Sequence, residues 1–400
     1  MRTIEKRQEM KPIEMKLARR LGGVGEYYFS KKLREIDRMR ASGRQIINLG
    51  IGSPDRPPHP DVIGTLAAEA AKPGNHGYQP YKGAAVLREA FALWYKERYG
   101  VALDPEGEIL PLIGSKEGVM HVCMTYLDEG DRVLVPNPGY PTYRSAVTIA
   151  GGVCVDYVLR EDGGWMPDFD EIERGGLQGV KMMIVNYPHM PTGAAPKEGL
   201  FRRLVDFARR HGILLLHDNP YSFLRNDRPE SLLATPGATE VALELNSLSK
   251  SHCMAGWRIG MIGGARERID EIIRFKSNMD SGMFYPLQAA AAKALSLGDD
   301  WYRELNALYR RREAKAYEIL DAVGCTYDPV QAGLFVWGRL PEGAGDCYEF
   351  SDRVLNGCGV FLTPGGIFGS EGNGYIRITL CCPEALLKKA TEKIKAAFGK

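Results

Sequence analysis

Short apolar runs alternate with helical patterns from about residue 62 to residue 275, and this alternation limits the folds open to the chain more than any other feature. The runs lie at 109–113, 132–135, 153–158, 180–185, 213–216, 241–245 and 259–262. Between them, Leu200, Leu204, Phe207 and Ala208 share one helical face, with Pro196 near its start and Gly212 at its stop. Residues 83–99 form a second amphipathic pattern, with Leu87, Phe91, Trp94 and Tyr95 along its stripe. The spacing predicts an α/β protein whose mostly parallel, seven-stranded sheet is sandwiched by helices. After residue 285 the character changes. A long helical stretch, 287–323 with a break near Gly298, precedes strand-like pieces at 333–337 and 374–380 and a Lys-rich helix. This predicts a smaller α+β unit. The expected boundaries are 1–55 for an N-terminal arm with part of the small domain, 56–290 for the large domain and 291–400 for the rest of the small one. A chain of 400 residues, 44% hydrophobic, is long enough for both.

Composition removes several function classes. A net charge of +2 carries no basic excess for nucleic acid. The eight cysteines show neither a CxxC pair nor a disulfide-like framework, and they lack zinc spacing, so reduced thiols and no metal are expected. The N-terminus has no apolar signal segment and no stretch reaches membrane-spanning length, which predicts a cytoplasmic protein.

Polar clusters follow the predicted strands, and ligands bind at the carboxyl ends of strands in a doubly wound sheet. Gly114-Ser115-Lys116-Glu117-Gly118 follows the first run and opens a helix whose free N–H groups suit an anion, although a plain cap by Ser115 fits equally. The turn Pro136–Pro141 is stiff enough to hold Tyr140 against a planar ligand, or simply to pack it. Asn186–Gly193 follows the fourth run. Asp218 ends the fifth, where a buried carboxylate needs a cation, either a structural one or a protonated pyridine nitrogen.

The decisive stretch is Ser247-Leu-Ser249-Lys250-Ser-His252-Cys253-Met-Ala-Gly-Trp-Arg258. Taken alone, a lysine and an arginine in a loop are ordinary solvated groups. Here the lysine amine can form a Schiff base with an aldehyde while Ser247, Ser249 and Arg258 hold a phosphate dianion. Pyridoxal 5′-phosphate is the aldehyde-phosphate that fits. His252 and Cys253 read as structural.

Together these motifs resemble the class I/II aminotransferases, the fold-type-I pyridoxal-phosphate enzymes, over essentially the whole chain. The resemblance implies that Lys250 forms the internal aldimine and shuttles a proton, that Asp218 meets the pyridine nitrogen and that Tyr221 donates to the cofactor O3′. It implies phosphate ligation by Ser115, Lys116, Ser247 and Arg258, with Ser249 and Asn186 beside the cofactor and Tyr140 stacked on its ring. Tyr78 would reach the phosphate of a neighbouring subunit, implying a homodimer with shared sites. Arg377 would grip the substrate α-carboxylate as a bidentate fork, and the Gly52 backbone would approach the substrate closely.

One position departs from the family. Met190 stands where an asparagine usually donates to O3′, and a thioether cannot donate. Asn186 or His189 are the candidate substitutes. The second arginine of dicarboxylate-specific members is also missing from 275–286, since Arg274 falls on the preceding predicted helix. Tyr27, Tyr28, Phe29, Phe284 and Tyr285 are candidates to shape an apolar or mixed pocket. The reading implied is transfer of an amino group between an L-amino acid and a 2-oxo acid. The alternatives are a same-fold C–S lyase or synthase, and a cofactor-binding regulatory module, for which the chain has no attached DNA-binding segment.

Overall fold

The computed structural model describes residues 13–26 and 28–398. Its first strand, β1 (Ile47–Asn48), lies outside the main sheet. The next seven form that sheet: β2 (Ile109–Leu112), β3 (Arg132–Asn137), β4 (Val153–Val158), β5 (Val180–Val185), β6 (Leu214–Asp218), β7 (Ala242–Ser247) and β8 (Gly260–Gly264). Their spatial order is β2-β8-β7-β6-β5-β3-β4. All neighbours are parallel except β8, which runs antiparallel to both β2 and β7. Each of the seven apolar runs became one of these strands.

Both faces of the sheet are covered, as continuous apolar runs demand. On one face, Leu204, Phe207 and Ala208 of the helix Leu200–His211 are buried with Leu215 and Met183. On the other, Val119 and Val122 of the helix Ser115–Tyr126 pack with Leu245, Ile184 and Leu216. Gly212, left-handed at φ 64°, stops the first of these helices, where a side chain would be strained. Deep in the sheet Glu244 is fully buried, yet its carboxylate is satisfied. It accepts from Tyr95 Oη (3.0 Å), Ser231 Oγ (2.8 Å) and the Leu232 amide (2.8 Å), and pairs with His217 Nδ1 (2.8 Å). Those bonds lock β6 to β7 beside Asp218.

The C-terminal part carries β9 (Phe335–Arg339), β10 (Val360–Phe361), β11 (Thr363–Pro364) and β12 (Tyr375–Thr379). A three-stranded sheet runs β11-β12-β9, and β10 pairs with β1, so residues 47–48 join this part. The helix Tyr28–Ala41 also packs here, with Ile36 against Leu355 and Phe361. The expected long helix is two helices, Tyr285–Leu295 and Asp299–Ala322, broken at 296–298. One apolar core runs from the large sheet into this part without interruption. Among the described residues no helix is long and apolar enough to cross a membrane.

Candidate active site

A cleft of about 300 Å³ opens at the carboxyl edge of β5 and β6 and is closed on its far side by residues of the C-terminal part. Lys250, Asp218, Tyr221, Tyr140, Asn186, Gly52, Met190 and Arg377 all line it. Residues more than 300 positions apart in the chain therefore meet in one space.

Asp218 ends β6 and is buried. Its Oδ2 accepts from Tyr143 Oη at 2.8 Å, while Oδ1 is buried without a hydrogen-bond partner. Burial raises its proton affinity above that of an ordinary carboxyl, and the Tyr143 hydrogen bond opposes the rise. A buried oxygen left unpaired at the base of a cleft is a place for a cationic donor. Asn186 braces this corner. Its Nδ2 donates to the Asp218 carbonyl at 2.6 Å and its Oδ1 accepts from the Met190 amide at 2.8 Å.

Lys250 lies in the turn after β7 and donates from Nζ to the Gly52 carbonyl at 2.8 Å. Its pKa is lowered, first by burial and then by the positive charges of Arg377 and Arg258. Tyr221 is also buried, and burial raises its phenol well above the usual range.

Arg377, on β12, crosses to the cleft from the opposite side. Nη2 donates to the Gly50 carbonyl at 2.9 Å and Nη1 to Met190 Sδ at 3.3 Å. Its guanidinium carbon sits 3.7 Å from the Phe335 ring centroid and 4.6 Å from that of Phe368. A fork held between rings keeps its orientation in the absence of an anion.

Ser115, Lys116, Ser247, Ser249 and Arg258 do not line the cleft itself but gather at the neighbouring sheet edge. Gly114, not Ser115, caps the helix, so Ser115 is its first residue. A Cβ on Gly114 would lie 2.2 Å from Arg258 Nη2, and one on Gly260 would lie 2.8 Å from the Ser115 amide nitrogen. Glycine at both positions lets the helix start, β8 and Arg258 touch. Arg258 donates to the Ala255 carbonyl at 2.9 Å and to Ser249 Oγ at 3.4 Å. Ser247 Oγ caps the lysine turn by accepting from the Ser249 amide at 3.2 Å.

Other sequence candidates fall elsewhere. Tyr78 is 93% exposed and away from this cleft. Phe29 lines it, whereas Tyr28 packs on Tyr348, Phe284 and Tyr285 stay outside, and Tyr27 lies beyond the described residues. His189 bonds Thr192 Oγ1 through Nδ1 at 2.8 Å, and burial lowers its pKa to about 3. It is absent from the lining, which includes Asn186. His252 is structural as expected, its Nε2 3.0 Å from Tyr302 Oη. Arg274 lies on the helix Arg266–Lys276.

Sequence reasoning missed Tyr143, Phe335 and Phe368. Tyr143 carried a signal, since it stands three residues after Tyr140 on a helix opened by Pro141 and so shares its face.

Fold and cleft together define an α/β protein whose cleft opens at the carboxyl edge of its main sheet, with an arginine brought in from a second sheet. The profile of the aminotransferase class I and II family matches residues 44–394. An LL-diaminopimelate aminotransferase of Dehalococcoides mccartyi is 40% identical over 382 residues, covering 95% of this chain and 98% of the relative. Another, from Oleidesulfovibrio alaskensis, is 40% identical over 385 residues, covering 94% and 98%. Among solved structures, apo-BacF from Bacillus subtilis superposes with a TM-score of 0.91 at 34% identity, covering 96% of this chain and all of that one. A probable N-succinyldiaminopimelate aminotransferase from Thermus thermophilus gives 0.87 at 36%, covering 92% and 99%. The chain belongs to the class I and II aminotransferase family, whose members are pyridoxal-phosphate enzymes, and it is an aminotransferase. The C–S lyase or synthase alternative is not favoured.

Proposed function

We propose that this protein transfers the amino group between an L-amino acid and a 2-oxo acid, using pyridoxal 5′-phosphate bound between the Lys250 turn and Asp218. The observation that carries the reading is the unpaired, buried Asp218 Oδ1 at the base of a cleft whose other cardinal groups are a lysine and an arginine. Asp218 would hold a proton on the ring nitrogen, and its burial makes that pairing worth more than it would be in water. Tyr221 would donate to the ring oxygen, Tyr140 would cover the ring, and Asn186 would fix the Asp218 backbone. Ser115, Lys116, Ser247, Ser249 and Arg258, with the free N–H groups of the helix start, would hold the phosphate. When bound, the cofactor supplies an electron sink for the charge left on the substrate carbon.

The chain's own groups do the rest. Arg377 grips the α-carboxylate. Lys250, whose proton affinity is lowered by burial, removes and returns the proton at the substrate carbon. The Gly52 carbonyl, already an acceptor for Nζ, steers the amine between positions. Residues 56–290 would form the cofactor-binding domain, and 1–55 with 291–400 the smaller one that carries Arg377.

A homodimer is part of the same proposal. Tyr78 (93%), Met279 (61%) and Phe284 (42%) are exposed on two segments that meet, with the His76 and Phe284 rings 5.7 Å apart. An apolar surface of this kind suits a second copy, into whose site Tyr78 would reach. The test is spectroscopic. Bound-cofactor absorbance should shift on adding an amino acid and return on adding a 2-oxo acid. Lys250→Ala should abolish turnover while still binding cofactor non-covalently, and substantial transamination by that variant would refute the assignment.

A further inference from the structure

Among the described residues, the charged side chains lining the cleft are Asp218, Lys250 and Arg377, and the proposed function employs all three. What remains for the substrate's side chain is uncharged. Arg377 and Lys250 touch the same short ribbon of backbone, at the carbonyls of Gly50 and Gly52 respectively. An α-carbon whose carboxylate is on Arg377 and whose proton goes to Lys250 must therefore lie over that ribbon. Its side chain leaves toward Ile51, Phe29, Leu33 and Phe368, which line the cleft there, with Ser53 as the only hydroxyl on the ribbon. Phe29 and Leu33 are four residues apart on one helix, so they present a single apolar face. The Phe29 ring lies 5.8 Å from the Arg377 guanidinium, which places this face next to the carboxylate grip.

We infer that the amino donor is an α-amino acid with an apolar side chain, aromatic or long aliphatic, and that Ile51, Phe29 and Leu33 determine this preference. The inference rests on the aminotransferase reading with Arg377 on the α-carboxylate. It separates this chain from relatives named for LL-diaminopimelate, whose far end bears both an ammonium and a carboxylate. Bringing that pair against the apolar side chains of Phe29, Leu33 and Ile51 strips its water, a disfavoured exchange.

The test uses the purified holoenzyme with pyruvate as acceptor. L-Phenylalanine, L-leucine and L-methionine are compared as donors with LL-diaminopimelate, L-aspartate and L-glutamate. The expected result is a kcat/KM at least ~100-fold higher for the best apolar donor than for any charged one. In a binding arm, 3-phenylpropionate should raise the holoenzyme's melting temperature at concentrations where glutarate does not. A charged donor equal to or better than the apolar ones overturns this inference alone. Absence of transamination with every donor, in protein that carries cofactor, overturns the aminotransferase reading beneath it. Ile51 is 41% exposed, so Ile51→Lys can place its ammonium at the cleft mouth without unfolding the chain. That variant should move the glutamate-to-phenylalanine ratio toward glutamate by about tenfold. An equal fall with both donors would show that Ile51 does not meet the side chain and would overturn the placement.

Discussion

Replacing Gly52 with alanine tests the link between packing and substrate binding most directly. A Cβ at this position would stand 2.1 Å from Cζ and 2.5 Å from Cε1 of Phe335. Ordinary contact begins near 3.4 Å, so the ring must retreat by about 1.3 Å. Phe335 is buried and flanked by Tyr221, whose ring centroid is 6.2 Å away, which leaves it little room. Overpacking of this kind costs about 1–3 kcal/mol of stability. The same ring stacks on Arg377 at 3.7 Å, a contact worth ~0.5–2 kcal/mol, so its retreat loosens the guanidinium. Losing roughly 1.4 kcal/mol of carboxylate binding is a tenfold change in affinity. Gly52→Ala should therefore unfold at lower urea and show a KM for the amino donor about tenfold higher. Its kcat should change less, because the grip acts in ground and transition states alike. Cofactor affinity should stay near wild type. A variant with wild-type KM would refute the claim that Phe335 sets the arginine.

Gly64→Ala is the opposite case. The residue is exposed within the helix Pro60–Ala70 with nothing within 4 Å of its added Cβ, so urea unfolding should show a gain of up to about 1 kcal/mol. Tyr143→Phe removes the donor to Asp218 Oδ2. Burial then raises the carboxyl's proton affinity with less opposition, and cofactor affinity measured by fluorescence quenching should fall at least ~10-fold. Asp55→Ala strands Arg312, now held by both carboxylate oxygens at 2.6 and 2.8 Å, and should cost about 3 kcal/mol in urea unfolding, with Arg312→Met less damaging in that background. Lys250 gives a pH dependence. Its folded pKa lies below the ordinary lysine value of 10.5, so between the two the unfolded chain binds more protons and stability rises with pH. Cofactor-free wild type should show that slope on the approach to pH 10.5, and Lys250→Met should lack it.

The strands were legible because burial on both faces writes itself as uninterrupted apolar runs. Asn186, Asp218 and Ser247, gathered at the carboxyl edge, were legible because each ends or directly follows such a run. Direction was harder to see: an apolar run reads the same either way, so β8 carried no mark of its reversal. The clue lay in the connection, since residues 248–259 are too short and too irregular for a helical crossover. Tyr143 was hidden because a tyrosine on a helix face reads as core, and it is indeed only 1% exposed. Phe335 and Phe368 gain their role solely from meeting Arg377 across the C-terminal sheet, a tertiary event with no local signature.

The reversed strand has a consequence for how this enzyme can vary. Because β8 runs back along β7, the chain leaves and re-enters the sheet at one edge, and the twelve residues 248–259 are fastened at both ends. Lys250 and Arg258 are thus carried on a single tethered span. Loops elsewhere can lengthen at small entropic cost, but an insertion here would change the separation between the amine and the guanidinium. Engineers seeking new specificity should graft onto the segments around Ile51 and Phe29 and keep the length of this span fixed.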